Sequence, residues 1–516
     1  MSNKLNVLLI TADQWRGDCL SSMNHPVIQT PNLDSLAREG VQFKRHYSNV
    51  VPCGPSRASL HTGLYLHNHR SGTNGTPLDD RFTNWARELR DDGYDPVLFG
   101  YTHTSMDPRG VPEDHPGLRN DEGILPGIRP VIDMGTLCPD WRDFLIEKGY
   151  ELPEIHGATY ALRDINAARK DVPTPLLIDK THTDTWFLTD QVINHVTACN
   201  QGQQDKEQGW CVHLSLRAPH PPWVAAAPYH QRYDMDKLPL PVRLESSQHE
   251  GFTHPWLAQH LATGRNKSHE DLVKHRKLQA GYYGLMSEVD DNMGRLVQFL
   301  KKAGQWENTI FIFTSDHGEQ MGDHWLYGKA GFYDQSYHIP LIIRSPGNQP
   351  GVCEEFTEHV DIFPTLMDLL GKVIPRQCDG FSLQTQLTQG KLQDWRRSAH
   401  FEYDFRHSQS EDALSMDMES ACLNVIRDDH YKYVHFADLP ELLFDLRNDP
   451  GELNNIAPDN PGLVAEYAKQ LLSWRMQTTD KTLSHMQISR DHGLRDMGLR
   501  DMGLRDMGLR DMELPE

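Results

Sequence analysis

No cysteine pair in this sequence has the CxxC spacing of a thiolate metal site. The eight cysteines, at 19, 53, 138, 199, 211, 353, 378 and 422, lie scattered. That argues against a zinc site built on cysteines and leaves most of them as ordinary buried thiols, with Cys53 the exception. A basic patch is also missing: 51 Lys and Arg against 72 Asp and Glu give a net charge of −21, which argues against a nucleic acid or an anionic membrane as partner. Nowhere do about 18 apolar residues follow one another, so no membrane span is expected. The first ten residues, MSNKLNVLLI, carry one lysine and a four-residue apolar run. This falls short of a secretory signal, and a cytoplasmic location is the expectation.

What is present suits a folded chain with a sizeable core: 38% of the 516 residues are hydrophobic, with 11 Trp and 17 Phe. Apolar runs alternate with helical patterns, beginning with a strand at 7–10, a helix at 31–43 and a strand at 96–100. Further runs at 210–216 (WCVHLSL), 309–314 (TIFIFT) and 340–344 (PLIIR) are continuous rather than alternating in polarity, as in strands buried on both faces. The pattern predicts an α/β fold with a large mixed sheet between helices. A helix over 271–302, closed by Gly304, faces the core. Strand-like pieces at 421–426, 431–436 and 441–445, without intervening helices, precede a helix at 463–476 and predict a smaller C-terminal α+β domain. The expected division is 1–375, 376–480 and a tail, 481–516. In that tail Gly-Leu-Arg-Asp-Met recurs from 493, 498, 503 and 508. The five-residue period fits neither heptad nor strand, which predicts a disordered or weakly helical tail, or an arm on a neighbouring subunit.

The most specific stretch is CGPSRASLHTG, residues 53–63. Pro55 suits the first turn of a helix whose free N–H groups and positive dipole end favour an anion, with Cys53 just ahead of it. Arg57, one turn on, reaches back with a fixed fork of donors. A nucleophile at an anion site is the inference.

These residues resemble the C-x-P-S-R-x-x-x-x-T-G signature of type I sulfatases and the related phosphonate monoester hydrolases of the alkaline phosphatase superfamily. LLITADQWR (8–16), TSDHGEQMGD (314–323), FPTL (363–366), DGFSL (379–383) and LFDLRNDPGELNN (443–455) are similarly placed landmarks. The resemblance implies an alkaline-phosphatase-like fold, and oxidation of Cys53 to formylglycine by a separate formylglycine-generating enzyme. The hydrated aldehyde then supplies the nucleophile. It also implies one divalent metal held by Asp13, Cys53, Asp316 and His317. Asp13 follows the first strand and Asp316-His317 the strand 309–314, so both lie near the C-terminal strand ends where open α/β sheets bind ligands. Oxygen ligands with one imidazole suit Ca²⁺, Mg²⁺ or Mn²⁺, with Mn or Ca expected.

Holding the anionic ester and protonating the leaving alcohol fall to His220, in a proline-stiffened loop, and Lys329, with imidazole titration near neutrality suiting a general acid. The resemblance assigns Gln14, Asn74, Tyr101 and His103 to substrate binding. Gln14 stands where many arylsulfatases have a second Asp. Tyr101 and His103 form a hybrid of the Lys-x-His of arylsulfatases and the Tyr-x-Thr of phosphonate hydrolases. The expected activity is hydrolysis of sulfate monoesters, aryl sulfates foremost, overlapping with phosphonate monoesters and phosphodiesters. The alternatives are a phosphonate monoesterase with sulfate ester as side activity and, from another class, a non-catalytic anion-binding protein. A small anionic ester is the expected substrate, and a homo-oligomer, dimer or tetramer, the expected assembly.

Overall fold

The computed structural model of the protein describes residues 4–135, 138–163, 172–203, 209–264, 266–391, 394–406, 408 and 414–496. An eight-stranded mixed sheet organises most of it, in the order β5-β4-β6-β1-β7-β8-β2-β9. Its strands are β1 (Asn6–Ala12), β2 (Val41–Tyr47), β4 (Pro96–Gly100), β5 (Arg129–Asp133), β6 (Cys211–Leu216), β7 (Thr309–Thr314), β8 (His338–Arg344) and β9 (Gly351–Glu358). The central run β5 to β7 is parallel throughout, and β8 is antiparallel to both of its neighbours.

The continuous apolar runs are explained by helices on both faces. Leu8, Ile10, Leu214, Phe311 and Phe313 pack into one core with α1 (Pro31–Glu39), α3 (Asp184–Ala198) and the long α4 (Leu272–Lys302). Val7, Leu9, Ile310, Ile312 and Leu341 point the other way, into a core with α2 (Cys53–Thr62) and α5 (Ile362–Leu369). Alternate residues of each strand thus feed opposite cores, the period of two that a pleated strand imposes.

The helix expected over 31–43 ends at Glu39 instead. A Cβ on Gly40 would lie 2.5 Å from the carbonyl oxygen of Ile343, so the chain passes hard against β8 there and continues as β2, pairing Val41 with Ile343.

A second sheet runs β13-β12-β11-β10-β3, with β10 (Ala399–Asp404), β11 (Cys422–Arg427), β12 (Tyr431–Phe436) and β13 (Leu442–Asp445), and with α6 (Pro461–Thr478) packed on it through Tyr467, Leu471 and Trp474. Its last strand, β3 (Val50–Val51), comes from the other side of residue 375 and pairs in parallel with Glu402 and Tyr403. The start of the tail differs from the expectation: β14 (Met486–Ser489) and β15 (Gly493–Asp496) form an antiparallel hairpin, so the first Gly-Leu-Arg-Asp unit is a strand. Gly493, at φ of 62°, supplies its turn. The units from 498 on lie outside the described residues. Among the described residues no helix is long and apolar enough to cross a membrane.

Gly100 closes β4 at φ of 123°, and a Cβ there would lie 2.0 Å from the Ser215 carbonyl oxygen. Gly100→Ala combines a forbidden backbone conformation with a backbone clash, and is expected to lose at least about 2 kcal/mol of stability. Chemical denaturation checks this; an unchanged midpoint would contradict the close approach of β4 to β6.

Candidate active site

Because β1, β4, β6 and β7 run parallel, their C-terminal ends share one edge of the sheet, and the residues that follow them meet there. Asp13 follows β1, Tyr101 and His103 follow β4, His220 follows β6, and Asp316 and His317 follow β7. Across from them α2 delivers Cys53 as its first residue rather than just ahead of the helix, and Arg57 one turn on. Cys53 is only two residues beyond β3, so the second sheet helps fix where the helix begins.

The structure brings Asp13, Cys53, Asp316 and His317 together with one ligand atom from each within 4.8 Å of the others, all four residues buried. His317 Nδ1 lies 3.0 Å from the Gly318 carbonyl oxygen. A carbonyl only accepts, so Nδ1 carries the proton and Nε2 turns its lone pair to the cluster. The Cys53 thiol donates to that nitrogen at 3.1 Å. Burial and the neighbouring Asp13 push the thiol up to about 12. Burial lowers His317, against the pull of Asp316.

Arg57 does not reach back to Cys53 by hydrogen bond. Its Nε donates to Asp316 Oδ2 (3.0 Å), Nη2 to Asp13 Oδ2 (3.2 Å), and Nη1 to the Tyr101 carbonyl (2.9 Å) and Ser215 Oγ (2.7 Å). Asp13 Oδ2 also accepts the Tyr101 hydroxyl, and the Arg57 guanidinium sits 4.3 Å from the Tyr101 ring centroid. Burial opposes ionisation of Asp13, but His220, His317, Lys329 and Arg57 outweigh it and hold the carboxyl well below its usual range. The other oxygen, Asp13 Oδ1, is buried with no hydrogen-bond partner. An ionised, buried acceptor lacking a donor, beside a second carboxylate, an unprotonated imidazole nitrogen and a sulfur, is a donor set that fits a divalent cation.

The remaining candidates surround this cluster. Lys329 Nζ donates to Gln14 Oε1 at 2.7 Å, and Cys53, Asp13 and Asp316 raise its pKa although burial opposes this. His220 Nδ1 donates to the Pro221 carbonyl (2.8 Å). Burial and Lys329 push His220 down to about 4, so titration near neutrality is corrected: the imidazole is neutral, and Lys329 is the charged donor. Asn74, itself exposed, accepts the Gly54 N–H at 2.9 Å. One of the helix-start N–H groups expected to await an anion is therefore already taken. His103 adjoins the same Gly54 and is pushed down to about 4 by burial and Arg57. A cavity of about 420 Å³ is lined by Gln14, Pro52, His220, Lys329, Thr263 and Tyr403.

Two participants escape sequence reasoning. Ser215 lies inside β6, and Glu319 lies inside the TSDHGEQMGD segment without a spacing that separates it from its neighbours. Only the packed geometry brings Ser215 to Arg57 and Glu319 to Gln14.

The sulfatase family model matches residues 5–372, and that of the N-sulphoglucosamine sulphohydrolase C-terminal region matches 322–477. The multifunctional alkaline phosphatase superfamily protein PehA of Trinickia caryophylli is 40% identical over 507 residues, 94% of this chain and 98% of that protein. An arylsulfatase of Clostridium perfringens is 30% identical, covering 88% and 90%. The crystal structure of the phosphonate monoester hydrolase of Agrobacterium radiobacter superposes with a TM-score of 0.89 at 40% identity, covering 96% of this chain and 99% of that one.

Removing Arg57 leaves two buried carboxylates facing each other. Arg57→Met is expected to lose about 3 kcal/mol, part of it recovered when a divalent ion is added during denaturation, because the ion restores positive charge at the same place. An equal loss with and without the ion would contradict the charge explanation.

Proposed function

The chain belongs to the sulfatase family, and on that premise we propose that it hydrolyses singly charged tetrahedral esters: sulfate monoesters of aryl-type alcohols together with phosphonate monoesters and phosphodiesters. The observation that carries the reading is the buried quartet of Asp13, Cys53, Asp316 and His317 with the partnerless Asp13 Oδ1, next to a cavity that Gln14, the neighbour of Asp13, lines with Lys329 and His220. Within that class two features favour phosphonate esters over sulfate: Tyr101 stands where arylsulfatases carry Lys, and the 40%-identical relatives include a phosphonate monoester hydrolase.

In this reading Asp13, Asp316, His317 and the side chain of residue 53 hold one divalent ion, Mn²⁺ or Ca²⁺. When bound, such an ion supplies Lewis-acid polarisation and lowers the pKa of a coordinated hydroxyl. Cys53, oxidised to formylglycine by a separate formylglycine-generating enzyme, supplies an aldehyde hydrate as nucleophile in place of a thiol that burial keeps protonated. The chain's other residues have defined work. Arg57 orients Asp13 and Asp316 beside each other and helps hold Asp13 ionised. Tyr101 donates to the same oxygen of Asp13 that Arg57 Nη2 holds. Lys329 meets the charge that develops on the leaving oxygen. His220 lines the cavity with Nδ1 held by the Pro221 carbonyl, so it takes part as an acid only once an anionic ester has raised its pKa. Asn74, His103 and Gln14 flank the ester. The reading also includes a cytoplasmic homo-oligomer, dimer or tetramer, with residues 481–516 as its arm.

Peptide mass spectrometry of protein made alongside a formylglycine-generating enzyme is expected to find the aldehyde at Cys53. Active preparations holding only the intact thiol would overturn the mechanism. With one aryl alcohol as common leaving group, kcat/KM for the phosphonate monoester and the sulfate ester should both far exceed that for the phosphate monoester dianion. The non-catalytic reading requires that none be turned over.

Imidazole in the ligand set favours a transition ion. Metal analysis of protein purified without added metal is expected to find manganese, and Asp13→Asn to lose it. Stoichiometric calcium with no manganese would remove the preference for manganese.

A further inference from the structure

Lys329 sits on the loop between β7 and β8 and not directly after a strand, and its ammonium has to be aimed by something other than the sheet. Gln14 does the final aiming, accepting from Lys329 Nζ at 2.7 Å. An ammonium group has no acceptor, so the Gln14 atom facing it is the oxygen, and the amide NH₂ points the other way. There it donates to Glu319 Oε2. The second oxygen of Glu319 accepts two backbone N–H groups, from Met321 at 2.8 Å and from Gly328 at 2.7 Å. Glu319 is fully buried and accepts at every one of these contacts. Gln14 itself stands at φ of 71°, a conformation a residue with a side chain keeps only when its surroundings impose it. Its N–H on Asp316 (3.1 Å) and its carbonyl under the Tyr282 hydroxyl (2.7 Å) complete that constraint.

We propose that Glu319 is a positioning residue that holds Lys329 at both ends: the backbone through the Gly328 N–H, and the ammonium through the amide of Gln14. The inference rests on the reading of Lys329 as the charge that meets the leaving oxygen. If Glu319 sets the Gln14 amide, exchanging it for an amide leaves the two backbone N–H groups in need of the new oxygen and turns the new NH₂ toward the Gln14 NH₂. Gln14 must then flip, and its NH₂ faces the Lys329 ammonium, donor against donor. Exchanging both groups restores the chain of contacts with the total charge unchanged, since a carboxylate at 14 accepts from an amide at 319 with one oxygen and from Lys329 with the other.

The test is a series of aryl esters of one acid with leaving groups of graded pKa. In Glu319→Gln, kcat/KM is expected to fall on the order of 10–100-fold for the poorest leaving groups, and far less for the best, so that the dependence on leaving-group pKa steepens. The reciprocal double variant, Glu319→Gln with Gln14→Glu, is expected to recover most of the loss. A carboxylate that only stabilises the fold would lower the melting temperature without moving that slope. An unchanged slope in a folded Glu319→Gln, or a double variant no better than the single one, overturns the proposal. Should Glu319→Gln fail to fold, Gln14→Met keeps both backbone bonds of Glu319 and must steepen the slope; an unaltered slope there overturns the proposal equally. Lys329→Ala separates the two layers. A wild-type slope in it defeats the reading of Lys329, whereas a steep slope in it beside a wild-type slope in Glu319→Gln defeats the role of Glu319 alone.

Discussion

Two carboxylates buried side by side repel, and each loses the water that would stabilise its charge. Asp13 and Asp316 stand in that relation in the buried cluster, and the arrangement exists because one guanidinium bridges them. Arg57 reaches Asp316 at 3.0 Å and Asp13 at 3.2 Å and is itself fully enclosed. A planar fork suits this position and an ammonium does not, because the bridge requires several donors in fixed directions, with Nη1 left over for Ser215 and the Tyr101 carbonyl. Strand ends of three segments, 13, 101 and 316, are therefore tied to one side chain of α2.

That helix is in turn placed by the smaller sheet. Val50 and Val51 pair with Glu402 and Tyr403, and Cys53 follows within two residues, so the register of β3 on β10 sets the first turn of α2. Tyr403 also lines the cavity. The C-terminal strands are consequently part of the support for the reacting position, and a shift of that sheet would be felt at Cys53 before it was felt in the large core.

How much of this was readable beforehand follows from which interactions are local. The buried strands 309–314 and 210–216 were legible because a strand covered on both faces has no polar alternation to hide it, and the long α4 because its apolar stripe repeats over many turns. Cys53, Asp13, Asp316 and His317 were legible through a motif and through strand ends, and the geometry gathers them in one buried cluster. The end of α1 was missed because the reason for it is the Ile343 carbonyl, remote in sequence from Gly40. Arg57 was expected to turn toward Cys53, one turn back on its own helix, whereas its partners come from four other segments. The neutral state of His220 depends on burial and on Lys329, neither of which a loop sequence displays. The same holds for Glu319, whose significance lies wholly in the side chain it meets.

The charge count of the assembled site then argues for the class of ester it accepts. Asp13, Asp316 and Glu319 stand against Arg57 and Lys329, while Cys53 as thiol and the imidazoles of His220 and His317 are neutral, so the chain's own contribution sums to one negative charge. A dication held by the quartet would leave one positive charge, which a singly charged ester balances. A doubly charged ester would leave an uncompensated negative charge in a site walled by buried groups, where an unpaired charge is costly. A carboxylate at position 14, as many arylsulfatases have, would subtract one more. Gln14 in its place keeps that charge available, and its amide serves instead to orient Lys329. Sulfate monoesters, phosphonate monoesters and phosphodiesters all carry the single charge this balance admits, which is why their overlap follows from the site itself.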